Sequence, residues 1–193
     1  AEVEYHQHKS PSIYVKFDIQ DKDSRRKLGL KDDEKAAVVI WTTTPWTLPA
    51  NVGICLHPDL EYTFFKSNNE YLLIAKGLKE SVAKETGLEL SDTEFHYQGK
   101  DLVRLKARHP FINRDSLFVL GLHVSLDAGT GCVHTAPGHG MDDYRVGLEY
   151  DLPVLSPVDA RGCYTQEVPE YQGMNIFKTN PVIVERLKTS GHL

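Results

Sequence analysis

Apolar runs of strand length, each cut off by a turn signal before it reaches helical length, recur along almost the whole chain. This pattern constrains the fold most, because a core must be assembled from many short pieces rather than a few long helices. The run "SIYVKFDI" (12–19) alternates and is rich in β-branched and aromatic residues, so it predicts a strand. "AAVVIWTTT" (36–44) is a second strand that enters a threonine cluster, and Pro45 and Pro49 punctuate the chain before "VGICL" (52–56). "EYTFFKS" and "EYLLIA" flank Asn68-Asn69, which predicts a hairpin. Further short strands are expected at "EFHYQG", "LVRLKA", "LFVLG" and "CVHTA". Helical spacing occurs at 76–87, closed by Gly87, and at 142–150 and 180–191, while the charged stretch 21–35 reads as a solvated loop. Many short strands with three scattered helices predict an α+β domain built on a β-barrel, with a few peripheral helices.

Length and charge narrow what such a domain does. The 193 residues suffice for one domain with a real core. With 27 acidic against 22 basic side chains the net charge is −5, which argues against gripping long nucleic acid through its phosphates. A pocket that receives only the end of a nucleic acid chain is compatible with that balance. Cys55, Cys132 and Cys163 are odd in number and far apart, with no C-x-x-C pair, so neither a disulfide framework nor a structural zinc site is expected, and a reducing compartment is. No apolar run approaches the ~18 residues that would span a bilayer. The opening "AEVEYHQHKS" has no signal-peptide core and no initiator Met, which suggests a piece of a longer chain.

Two windows carry chemistry. "GTGCVHTAPGHGMDDY" (129–144) gathers four glycines, two histidines and an acidic pair. Gly129 and Gly131 suit a tight turn whose bare backbone would let a ligand come close. His134 could line a pocket, and His139 could bond backbone in the turn that follows. Asp142 and Asp143 fall at a helix N-terminus, where a carboxylate caps amide groups; that accounts for one of them and not for both. The set H-x4-H-x2-D-D is chemically competent to bind a divalent metal but matches no recognisable metal spacing. The second window, "WTTTPWTLPAN" (41–51), puts three hydroxyls at a strand end, able to hold a sugar hydroxyl, an ester carbonyl or a water. Threonine also simply favours strands, which explains one such residue better than three.

Together, in this order and at this separation, the two windows resemble those of the editing domain inserted into isoleucyl-tRNA synthetase. The resemblance runs from "EVEYHQHKSPSIYVKF" to the C-terminal helix. Related valyl and leucyl editing domains carry T-T-R-P where this chain has T-T-T-P-W, and they lack the histidine found here as His134; both differences point to the isoleucyl branch. Cys132 stands where alanine is common. The resemblance implies a single editing domain over 1–193, excised from a longer cytoplasmic synthetase, with no cofactor, no metal and no membrane. The implied activity is hydrolysis of the ester of valyl-tRNA(Ile), with valyl-adenylate as a second substrate, by direct attack of water.

Residue by residue, the resemblance gives Asp143 the valyl ammonium, His134 the size limit against isoleucine, and Trp46 an apolar wall. Thr42, Thr43 and Thr44 would hold ribose, ester and water, with Asn51 beside them as a catalytic residue. Gly129 and Thr130 would complete the substrate wall. The implied partners are the 3′ end of isoleucine tRNA and the catalytic domain of the parent synthetase. Two other readings stay open: a metal-dependent hydrolase using His134, His139, Asp142 and Asp143, and a non-catalytic module that positions a tRNA 3′ end.

Overall fold

The computed structural model describes residues 11–193. Residues 1–10, on which the start of the resemblance and the signal-peptide reading fall, lie outside the described residues.

Among the described residues nine strands form one sheet, and six of them close into a barrel. The nine are β1 Ile13–Asp18, β2 Lys35–Thr42, β3 Gly53–Leu56, β4 Glu61–Ser67, β5 Glu70–Ala75, β6 His96–Gln98, β7 Lys106–Arg108, β8 Asp115–Leu120 and β9 Cys132–Thr135. The order β1-β7-β8-β3-β9-β2, closed by the β1–β2 pairing, makes a six-stranded barrel, from which β5, β4 and β6 extend. Closure removes the exposed edges that the six barrel strands would otherwise present, leaving β6 at the edge of the extension. β1 obeys the expected alternation, turning Ile13, Val15 and Phe17 into the core, whereas β2 is buried continuously from Ala36 to Ile40. The hairpin at Asn68-Asn69 forms as expected, with Ser67 opposite Glu70 and Asn68 in the left-handed region at φ 51°.

One feature of this topology positions the site. The first half of β2 pairs in parallel with β5, and its far end pairs in parallel with β9, Trp41 lying opposite Val133. β2 and β9 therefore run side by side in the same direction and leave the barrel at the same rim. The threonine window and the glycine-histidine-aspartate window are the chain segments that leave it there.

Several sequence expectations are corrected. Four α-helices form among the described residues rather than three: α1 Lys22–Lys27, α2 Lys79–Thr86, α3 Met141–Glu149 and α4 Ile176–Thr189. α1 lies within the stretch expected to be a solvated loop. Its charges hide a cap, since the Asp21 carboxylate accepts from the Ser24 amide at 2.8 Å and from its hydroxyl at 2.7 Å, and Leu28 and Leu30 are buried just beyond. α4 begins four residues before the expected start at Asn180, because Asn175 accepts from the Phe177 amide at 3.0 Å and caps the helix there. Pro181 is accommodated inside it, and Thr179, Ile183 and Leu187 form its buried stripe. The strand expected at 102–107 shrinks to β7, because Gly99–Leu102 makes a 3-10 turn and Arg104 is left-handed at φ 66°.

Candidate active site

The two windows meet in one cavity of about 400 Å³. Thr42, Thr43, Thr44 and Thr47 line it from the first window, and Gly129, Thr130, His134, His139 and Asp143 from the second. Thr42 ends β2 and is buried; its hydroxyl accepts from the Thr44 amide at 3.0 Å and lies 3.3 Å from the Thr44 hydroxyl. The chain then turns through a 3-10 segment, Pro45–Ala50. Such a segment leaves carbonyls without helical partners. Two side chains from the region around β7 and β8 donate to carbonyls of this segment, at Leu48 in addition to the Asn51 amide that already reaches it at 3.0 Å. His109 donates from Nε2 to the Leu48 carbonyl at 2.8 Å, and the Arg114 guanidinium donates to the carbonyls of Pro49 at 3.0 Å and Asn51 at 2.8 Å. His109 is kept neutral, its pKa pushed down to about 3 by burial.

On β9, His134 has both ring nitrogens engaged: Nε2 lies 2.8 Å from the Thr47 hydroxyl and Nδ1 2.7 Å from the Asn51 side-chain nitrogen. Burial, and then the neighbouring His139, push its pKa down to about 4. The turn before β9 needs its glycines. Gly129 and Gly131 sit at φ 75° and 74°, and a Cβ on Gly131 would stand 2.4 Å from the Ala75 side chain. The space a Cβ on Gly129 would need is taken by the Trp41 ring, at 3.1 Å, so this glycine admits a side chain of the protein itself. Thr130 is buried, and its hydroxyl is spent on the backbone of Cys132 in both directions at 3.2 Å.

The acidic pair divides. Neither aspartate caps α3, whose N-cap is Gly140 with no side-chain bond. Asp143 faces the cavity and accepts from the Ala136 amide at 2.9 Å through Oδ2, tying the helix start to the end of β9. Burial raises its pKa, opposed by that amide and by His123. Asp142 is exposed and pairs with Arg145 at 3.7 Å. His139 lines the cavity; its amide donates to the Ala136 carbonyl at 2.9 Å, as a turn requires. Its imidazole does not bond backbone: Nε2 is the one buried side-chain N or O among the described residues with no partner.

Two expected site residues stand apart from the cavity wall. Trp46 packs edge-on against His139, ring centroids 5.2 Å apart, while Asn180 accepts from its amide at 2.9 Å. Trp41 is the tryptophan that lines the cavity. Asn51 is fully buried behind His134 and does not reach the cavity. Sequence reasoning missed Thr47, His109, Arg114 and Ser116. Thr47 was visible inside its own window as a fourth hydroxyl; the others lie over 60 positions from their partners, with no local signal. Among the described residues no three His, Cys, Asp or Glu side chains are gathered where they could hold a metal ion, and no helix is long and apolar enough to cross a membrane.

No family model matches the chain. In overall form it is similar to solved editing domains of leucyl-tRNA synthetases. The cytosolic P. knowlesi domain superposes with a TM-score of 0.71 at 12% identity, covering 97% of each chain. The P. falciparum domain gives 0.65 at 11%, covering 95% of this chain and 99% of that one. The barrel with its peripheral helices thus has the fold of a synthetase editing domain. Sequence relatives narrow this further. The chain is 51% identical over 195 residues to isoleucine–tRNA ligase of Macrococcus caseolyticus and 53% identical over 188 residues to that of Syntrophomonas wolfei, matches that cover 100% and 97% of this chain. Along its whole length, the chain is a homologue of the isoleucine–tRNA ligases. It spans about a fifth of the length of these curated relatives, 21% and 20%.

Proposed function

We propose that this chain hydrolyses the ester joining a mis-selected valine to the terminal adenosine of isoleucine tRNA, and valyl-adenylate as well, so that it proofreads isoleucine attachment. The observation that carries the reading is the convergence of threonine hydroxyls, His134 and Asp143 on one cavity. One methylene separates the two amino acids and is worth about 1–3 kcal/mol to a hydrophobic pocket, a figure established for synthetases of this kind rather than worked from this cavity. A second, smaller pocket that hydrolyses what the first admits by mistake supplies the remaining discrimination.

The chemistry needs a held ammonium, a placed water and polar groups at the developing oxyanion. Asp143 supports the first role. Its carboxylate is partly desolvated, and an ammonium would relieve the cost of holding that charge. Thr42, Thr43 and Thr44 line the cavity, and their hydroxyls would hold ribose, ester and water. His134, neutral and held at both nitrogens, forms the wall that would meet the extra methylene of isoleucine. With a net charge of −5, the domain takes only the flexible 3′ end, and the rest of a synthetase grips the phosphates.

Asp143→Asn tests the reading, because the new amide oxygen can still accept from Ala136 while the charge is gone. The expected result is loss of valyl-tRNA deacylation with an unchanged near-ultraviolet circular dichroism spectrum. An unaltered rate removes Asp143 from the mechanism. Binding of valyl-adenosine by the parent chain without hydrolysis of its ester reduces the site to a docking pocket.

A further inference from the structure

Asn51 is buried, out of reach of the cavity, and yet joined to the imidazole that faces it. Its amide has a determined orientation. The Gly53 carbonyl can only accept, and it lies 2.9 Å from the Asn51 side-chain nitrogen, so that end must be the NH2 group. At the other end Oδ1 receives the buried Ser116 hydroxyl. The same NH2 stands 2.7 Å from His134 Nδ1, which must therefore present a lone pair. The ring proton of the neutral imidazole is then on Nε2, 2.8 Å from the Thr47 oxygen. The Thr47 hydroxyl in turn donates to the Thr44 carbonyl at 2.9 Å. The two N–H groups of Asn51, the Nε2–H of His134 and the hydroxyl of Thr47 thus each have an acceptor, and Arg114 anchors the Asn51 end through its carbonyl at 2.8 Å.

We propose that Asn51 and Thr47 are positioning residues that hold His134 in the Nε2–H tautomer and in one ring orientation, so that the cavity wall cannot yield to a larger side chain. The inference rests on the hydrolytic reading above and deepens it: selectivity comes from the rigidity of this wall and not from the imidazole alone. A half-turn of the ring would set carbon atoms against both Asn51 and Thr47, so that one buried N–H of Asn51 and the accepting lone pair of Thr47 would each lose a partner. A second proton, on Nδ1, would point at the Asn51 NH2. Discriminating one methylene requires such stiffness, because a wall that retreats by the width of a methyl group discriminates nothing.

The test uses this chain and two readouts. Long-range 15N–1H correlation spectra of the histidine rings report the tautomer directly. The parent should show a protonated Nε2 and an unprotonated Nδ1 for His134, and Asn51→Asp, whose carboxylate can only accept, should exchange them. The second readout is the ratio of kcat/KM for valyl over isoleucyl esters. It should fall about tenfold or more in Asn51→Asp and Thr47→Val, the lower bound of what one methylene is worth, and be retained in Thr47→Ser. A parent His134 protonated on Nδ1, or parent-like selectivity in Thr47→Val, overturns the proposal. Should Asn51→Asp fail to fold, the parent spectrum and the Thr47 pair still decide it. A parent chain that hydrolyses no valyl ester defeats the functional reading instead, and the tautomer spectra then decide the positioning claim by themselves.

Discussion

Acid should destabilise this domain well before its carboxylates protonate, and the size of the effect follows from two histidines. His109 and His134 are buried and neutral, with folded pKa values pushed from an ordinary 6.5 to about 3 and about 4, in both cases chiefly by burial. Because the folded values are depressed, the unfolded chain binds protons that the folded one refuses once pH drops below 6.5. The stability is fully present above 6.5 and declines as pH falls towards the folded values. Between pH 7.5 and 5 each histidine costs about 1.5 pH units, or roughly 2 kcal/mol, so the pair costs about 4 kcal/mol. That is a large share of the about 5–15 kcal/mol that holds a typical domain together. Asp143, raised by burial, has the opposite sign: it binds its proton more readily when folded, and so lessens the loss as pH falls. Asp21, lowered by its bonds to Ser24, acts only near and below the ordinary carboxylate range. The assay is urea unfolding at half-unit pH steps, with the histidine ring protons followed by NMR. A stability constant to within 1 kcal/mol from pH 7.5 to 5, or ring signals of His109 and His134 that titrate near 6.5, would refute the argument.

Two further outcomes are expected. Gly131→Ala should destabilise by about 2 kcal/mol or more in thermal unfolding, since it combines a left-handed backbone with a Cβ 2.4 Å from Ala75; a change under 0.5 kcal/mol would mean the turn relaxes freely. His139→Phe should stabilise the ligand-free chain by about 1 kcal/mol, because it keeps the edge-on contact with Trp46 and removes an unpaired buried nitrogen; a loss of stability would show that Nε2 has a partner in solution.

The β-rich architecture, the Asn68-Asn69 hairpin, the Gly87 helix stop and the two chemical windows were all legible in the sequence, because each rests on local physics: alternation, turn residues and backbone freedom within a few positions. α1 was concealed because charge density outweighed a cap that needs only Asp21 and Ser24. What no local pattern contained was direction. Asp142 and Asp143 are adjacent and chemically identical, and only the packing of α3 against the end of β9 sends one to solvent and the other to the cavity. Asn51 and Trp46 sit in the same window as the threonines, yet the 3-10 turn rotates one behind His134 and the other against His139. Side-chain facing after a strand ends depends on carbonyl partners such as His109 and Arg114, about 60 residues away, so it is settled by long-range register. The sequence alone determined which residues could do chemistry; the parallel pairing of β2 with β9 decided which of them share a cavity.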